Sequence, residues 1–130
     1  MRPLFFQGLL AGILAGMASF VYEYMYSEAL LVDFSAVMTP PALFASSIFG
    51  SVLASVGYWA FSKWVRSNTD VWFNIIFLLL TFASLAGSFA ASLPPEVESP
   101  ELFPGLSVPM HLFPMLFWLA VKPLFRAKNQ

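Results

Sequence analysis

Residues 8–19 read GLLAGILAGMAS, and their reading decides the fold. The stretch carries no charge, and Gly8, Gly12 and Gly16 recur at every fourth position among Leu, Ile, Ala and Met. At 100° per residue those glycines, with Ser19 and Glu23, fall within an arc of roughly 80° on a helix. A Gly-xxx-Gly-xxx-Gly face lets a second helix come close, which is how helices associate where lipid supplies no hydrophobic drive. Three readings of the face compete: a packing seam inside a bundle, a glycine-lined groove for a ligand, and a homodimer interface.

The surrounding composition places that helix in a membrane. The chain has 130 residues, 59% hydrophobic and 10% charged, against roughly 25% charged in a typical globular chain. Apolar stretches cover residues 3–22, 41–62, 71–93 and 106–125, each near the ~20 residues that span a ~30 Å hydrocarbon layer. The expectation is an all-α, polytopic membrane protein, a single antiparallel four-helix domain over residues 1–130. A cleaved signal peptide is the alternative for the first stretch, since Arg2 precedes an apolar core with small residues near Ala18. The patterned face of that stretch goes beyond what a signal peptide requires.

Charge sets the orientation. Four crossings put all six Lys and Arg residues on one side: Arg2, Lys63, Arg66, Lys122, Arg126 and Lys128. The other side receives Glu23, Glu28, Asp33, Glu96, Glu98 and Glu101, and only Asp70 joins the basic residues. The positive-inside rule then predicts both termini in the cytoplasm and two acidic loops outside. Tyrosines at 22, 24 and 26 and tryptophans at 59, 64 and 72 fall at the two expected interfaces.

The outer segments differ in character. Over 29–38, Leu30, Leu31, Phe34, Val37 and Met38 recur at helical spacing, which fits a short interfacial helix or a partly buried loop. The sequence LPPEVESPELFPG, residues 93–105, holds four prolines and three glutamates and predicts an irregular cap without helix. No internal repeat is present.

Each remaining helix carries one weakly polar face. Helix 2 aligns Ser47, Ser51, Ser55 and Tyr58; helix 3 aligns Asn74, Thr81, Ser88 and Ser92. On helix 4, His111, Met115 and Trp118 share a face, and Lys122 is expected to snorkel toward the basic end. Ser19, Tyr58, Thr81, Ser88, Met115 and Trp118 are the candidate lining of any ligand pocket. Pro109 suits a first helical turn, and Pro114 frees the carbonyl of Met110 and bends the helix.

Two ionisable residues are the catalytic candidates. Glu23 ends the glycine face near the outer boundary, and His111 lies about a turn below the same boundary. A paired carboxylate and imidazole there would form an acid–base site or proton relay. The competing reading leaves both solvated in the headgroup region. One histidine and no cysteine give no clustered metal ligands, and no nucleotide or nucleophile fingerprint occurs. No cofactor is expected, and without a basic patch nucleic-acid binding has no support.

GLLAGILAGMAS together with LPPEVESPELFPGLSVPMH, residues 93–111, resembles an uncharacterised family of small four-helix bacterial membrane proteins. The shared features are a Gly/Ala-rich first helix and a proline-containing loop ending in Pro109-Met110-His111. The resemblance implies this architecture and a bacterial cytoplasmic (inner) membrane location, and no activity. The leading functional expectation is a non-enzymatic subunit or binding module for a protein partner or a lipidic ligand. A membrane-embedded enzyme using Glu23 and His111 on a lipid or isoprenoid is the alternative, and an oligomeric transporter component is the third.

Overall fold

The computed structural model describes residues 1–126; Lys128, counted above among the basic residues, lies outside them. The described chain is helical, with α1 over Arg2–Leu30, α2 over Pro40–Trp64, α3 over Thr69–Ala90 and α4 over Phe103–Arg126. A 3-10 turn over Pro100–Leu102 leads into α4. All four helices are long and apolar enough to cross a membrane.

The helix ends follow from local chemistry. Pro3 and Pro40 sit in first turns, where a missing N–H leaves no helical bond unmade. Thr39 caps α2, its hydroxyl oxygen accepting the Ala42 N–H at 3.4 Å. α1 runs about two turns past Tyr22 and stops at Leu31, which adopts a left-handed conformation (φ 54°). The Val32 N–H then donates to the Ser27 carbonyl at 3.1 Å, closing a Schellman-type end without glycine.

Of the two readings of 29–38 the partly buried loop holds, while the proline-rich loop and Pro109 depart from expectation. No interfacial helix forms over 29–38. Residues 29–30 finish α1, and the Asp33 carboxylate accepts the Ser35 N–H at 2.8 Å, competing with helical bonding. Hydrogen bonding from the Ser35 side chain and from its N–H holds the pKa of the Asp33 carboxyl below its usual value. Phe34 is fully buried and meets Phe103 edge to face at 5.7 Å, so the segment plugs the bundle. The proline-rich loop is not free of helix either, because Pro100–Leu102 and the first residues of α4 are helical. Pro109 therefore sits in the second turn of α4, and the Gly105 carbonyl it leaves without a helical donor accepts the Tyr22 hydroxyl at 2.9 Å. Tyr26 likewise donates to the Leu102 carbonyl at 2.7 Å.

α1 packs most extensively on α2 and then on α4; α3 rests mainly on α4, touches α2 least and does not meet α1. Gly8, Gly12 and Gly16 face α2. A Cβ at Gly8 would lie 2.6 Å from Ser55 Oγ, one at Gly12 would collide with the Ile48 backbone, and one at Gly16 would lie 2.6 Å from the Phe44 ring. Two apolar clusters fill the bundle. One, at the end bearing the acidic loops, is built on Phe34, Leu43, Phe103 and Leu106. The other, at the basic end, centres on Trp118, whose ring centroid lies 5.5–5.8 Å from those of Tyr58, Phe73 and Phe77. The fully buried Trp118 indole N–H donates to Ser55 Oγ at 2.8 Å, and Gln7 Nε2 donates to the Trp118 carbonyl at 3.2 Å.

Lys122 does not snorkel. It is 8% exposed and turns into the basic end, where Nζ lies 3.0 Å from the Asp70 carboxylate and donates to Asn74 Oδ1 at 3.1 Å. Tyr58 donates to the same Asp70 oxygen at 2.7 Å. Folding inward brings the ammonium an ion pair and aromatic faces, with Nζ 4.9 Å from the Tyr58 ring and 5.0 Å from the Trp118 ring.

Candidate ligand cavity

The site begins with how α2 and α3 are joined. A short connection, residues 65–68, makes them neighbours, and Tyr58 holds them together at the basic end through Asp70 and an edge-to-face contact with Phe73 at 5.1 Å. Their contact is otherwise sparse, and α4 forms the back wall. The space between them is a partly open cavity of about 540 Å³, within the size range of sites for small organic ligands.

The width of the cavity has a sequence origin. Gly50 and Gly57 remove side chains from the α2 wall. A Cβ at Gly50 would meet only the Pro114 ring, at 4.0 Å. Leu53, Ala54, Phe73, Ile76 and Phe77 make the half toward the basic end apolar, while Ser46, Ser47, Thr81, Ser84 and His111 bring polar atoms into the half toward the acidic end.

Most of those polar groups are already committed as donors. Thr81 Oγ1 donates to the Phe77 carbonyl at 2.8 Å, Ser84 Oγ to the Thr81 carbonyl at 2.6 Å and Ser46 Oγ to the Leu43 carbonyl at 3.1 Å. Such back-bonding satisfies hydroxyl protons on an apolar helix. His111 Nδ1 lies 2.8 Å from the Ser107 carbonyl. A carbonyl only accepts, so Nδ1 carries the proton, and in the neutral ring Nε2 is an acceptor. Ser88 Oγ stands 3.5 Å from the same nitrogen. Ser19, 1% exposed, lines the cavity from α1, and its hydroxyl has no hydrogen-bond partner.

The candidate residues divide accordingly. Ser19, Thr81 and Met115 line the cavity with His111. Ser88 touches His111 from beside it and faces a second hollow of about 380 Å³ under the proline-rich cap. Tyr58 and Trp118 do not line the cavity; they belong to the aromatic cluster below it, where the Trp118 N–H is anchored on Ser55. Gly8, Gly12 and Gly16 lie in the α1–α2 contact, so they form no groove. Glu23 and His111 have separate partners. Glu23 accepts from Ser27 at 3.2 Å on its own helix, while His111 is held by Ser107 and Ser88, and no hydrogen bond or ion pair joins the two. Among the described residues no three His, Asp or Glu side chains group as metal ligands.

The polar cluster of Lys122, Asp70, Asn74 and Tyr58 escaped the sequence reading as a unit. Its signal was opposite charges at the same end of two helices, Asp70 in the first turn of α3 and Lys122 in the last turns of α4. Compared with protein-family models, curated proteins and solved structures, the chain matches none.

Proposed function

We propose that this chain is an integral membrane protein, with both termini cytoplasmic, that holds a lipidic molecule in the cavity between α2 and α3 and performs no chemistry on it. The observation carrying this reading is the cavity itself: mostly apolar, partly open and backed by α4. Four apolar helices of 22 to 29 residues support membrane insertion. The segregation of Lys and Arg supports the orientation, and the bacterial cytoplasmic membrane is the location that the family resemblance implies. The close α1–α2 contact at the glycines supports reading that face as a packing seam. The separate hydrogen-bond partners of Glu23 and His111 support the non-enzymatic reading.

Two measurements test the proposal. Protein purified in a mild detergent is expected to retain about one apolar-chain molecule per copy, detected by extraction and mass spectrometry. Gly50→Phe places a ring in open space, and the retained amount is expected to fall at least tenfold with thermal stability maintained. Equal retention by both proteins, or stoichiometric capture of a protein in place of lipid, would refute the ligand reading. For orientation, a reporter active only in the cytoplasm is expected to work after Gln130 and to be silent when inserted at Glu98. The opposite pattern would overturn the assignment.

A further inference from the structure

The lining of the cavity also specifies the head of the molecule it holds. Resting on the lipid-binding reading above, we infer that the ligand is an uncharged hydroxyl-bearing lipid, a long-chain or isoprenoid alcohol or a glyceride with a free hydroxyl, with its hydroxyl toward the acidic end.

Charge is the first constraint. Among the described residues no Asp, Glu, Lys or Arg lines the cavity. A phosphate or carboxylate head would find no cation there, and an ammonium no carboxylate, and an unpaired charge taken out of water is heavily disfavoured. The nearest buried cation along α4, Lys122, is engaged with Asp70 at the opposite end of the bundle.

Hydrogen-bond direction is the second. His111 Nδ1–H donates to the Ser107 carbonyl, so in the neutral ring Nε2 is left to accept. Thr81 and Ser84 spend their protons on carbonyls of their own helix and keep only acceptor capacity. The acidic-end half of the cavity therefore calls for a ligand donor. A ligand hydroxyl meets that demand by donating to Nε2 or to another of these acceptors. A carboxylate or phosphate dianion has no proton to donate, and an ammonium brings a charge that nothing in the lining pairs.

The direction of the chain follows from the same lining. Polar residues occupy the acidic-end half, and Leu53, Ala54, Phe73 and Phe77 occupy the other. Along α3 the lining runs from Phe73 to Ser84, about 16 Å at 1.5 Å per residue, which accommodates an extended hydrocarbon chain lying beside the helix.

The test is a binding comparison on delipidated protein in detergent, using hexadecanol, palmitate, hexadecyl phosphate and hexadecylamine, whose chains are identical. Hexadecanol is expected to bind at least tenfold more tightly than each of the other three. His111→Phe is expected to reduce that preference about five- to tenfold, the equivalent of one hydrogen bond, and an unchanged preference would overturn the inference. If palmitate, hexadecyl phosphate or hexadecylamine binds as tightly as hexadecanol, the head-group inference is overturned while the lipid-binding reading stands. If none of the four binds and Gly50→Phe has no effect on lipid retention, the underlying reading fails and takes this inference with it.

Discussion

Asp70→Asn is expected to destabilise the protein in detergent by about 2–3 kcal/mol, more than Lys122→Met does. Asp70 and Lys122 form an ion pair at 3.0 Å whose two side chains are unequally covered, 37% and 10% exposed. Removing one partner of a buried pair costs about 3–5 kcal/mol because the other charge is left unpaired; the partial exposure of Asp70 brings the figure down. Asparagine leaves the ammonium in the bundle with Asn74 and the faces of Tyr58 and Trp118. Methionine at 122 keeps much of the stem's packing and leaves a carboxylate that reaches solvent. The double variant should recover part of the loss, since replacing both charges of a buried pair is far less damaging than replacing one. Thermal melts of the two single variants and the double decide this. Equal, small losses in all three would mean that the pair does not hold α3 to α4.

Gly12→Ala is expected to be the most damaging small substitution in the chain, at about 2–3 kcal/mol. The added methyl would collide with the Ile48 backbone, and no rotamer change moves a Cα atom. α1 and α2 would have to separate, disturbing the most extensive interface in the bundle, and overpacking of this kind costs about 1–3 kcal/mol. Gly87→Ala is the matched control. Nothing lies within 4 Å of a Cβ there, so only helix propensity changes, favouring alanine by up to about 1 kcal/mol. If the two variants melt together, the glycine face does not form the close contact described.

The limits of the sequence reading have identifiable causes. The glycine face of α1 was legible because it depends only on helical period, and the periodicity survives whatever the helix packs against. The fate of Lys122 was not. A lysine stem near a helix end can extend outward or fold inward, and the choice was made by Asp70 and Asn74 on another helix. Leu31 ends α1 in a left-handed conformation that glycine usually fills, so no glycine announced the stop. The cavity was half written in the sequence. Gly50, Ala54 and Gly57 share one face of α2, but whether small residues bring helices together or leave a space between them depends on the neighbour. Opposite Gly12 stands a backbone in contact; opposite Gly50 stands only the Pro114 ring at 4.0 Å.

The scarcity of contact around α3 has a consequence for how the chain comes together as it is made. Segments fold as they emerge, N-terminal ones first. α1 and α2 can pair as soon as both exist, because their interface needs nothing downstream. α3 follows, yet the helix on which it chiefly rests is α4, which has not been synthesised. It must wait, loosely attached to α2 near Tyr58, until α4 arrives between it and α1. The contacts among these four helices are therefore completed by α4, when Trp118 reaches Ser55, Lys122 reaches Asp70, and the tyrosines of α1 close over the turn that begins α4.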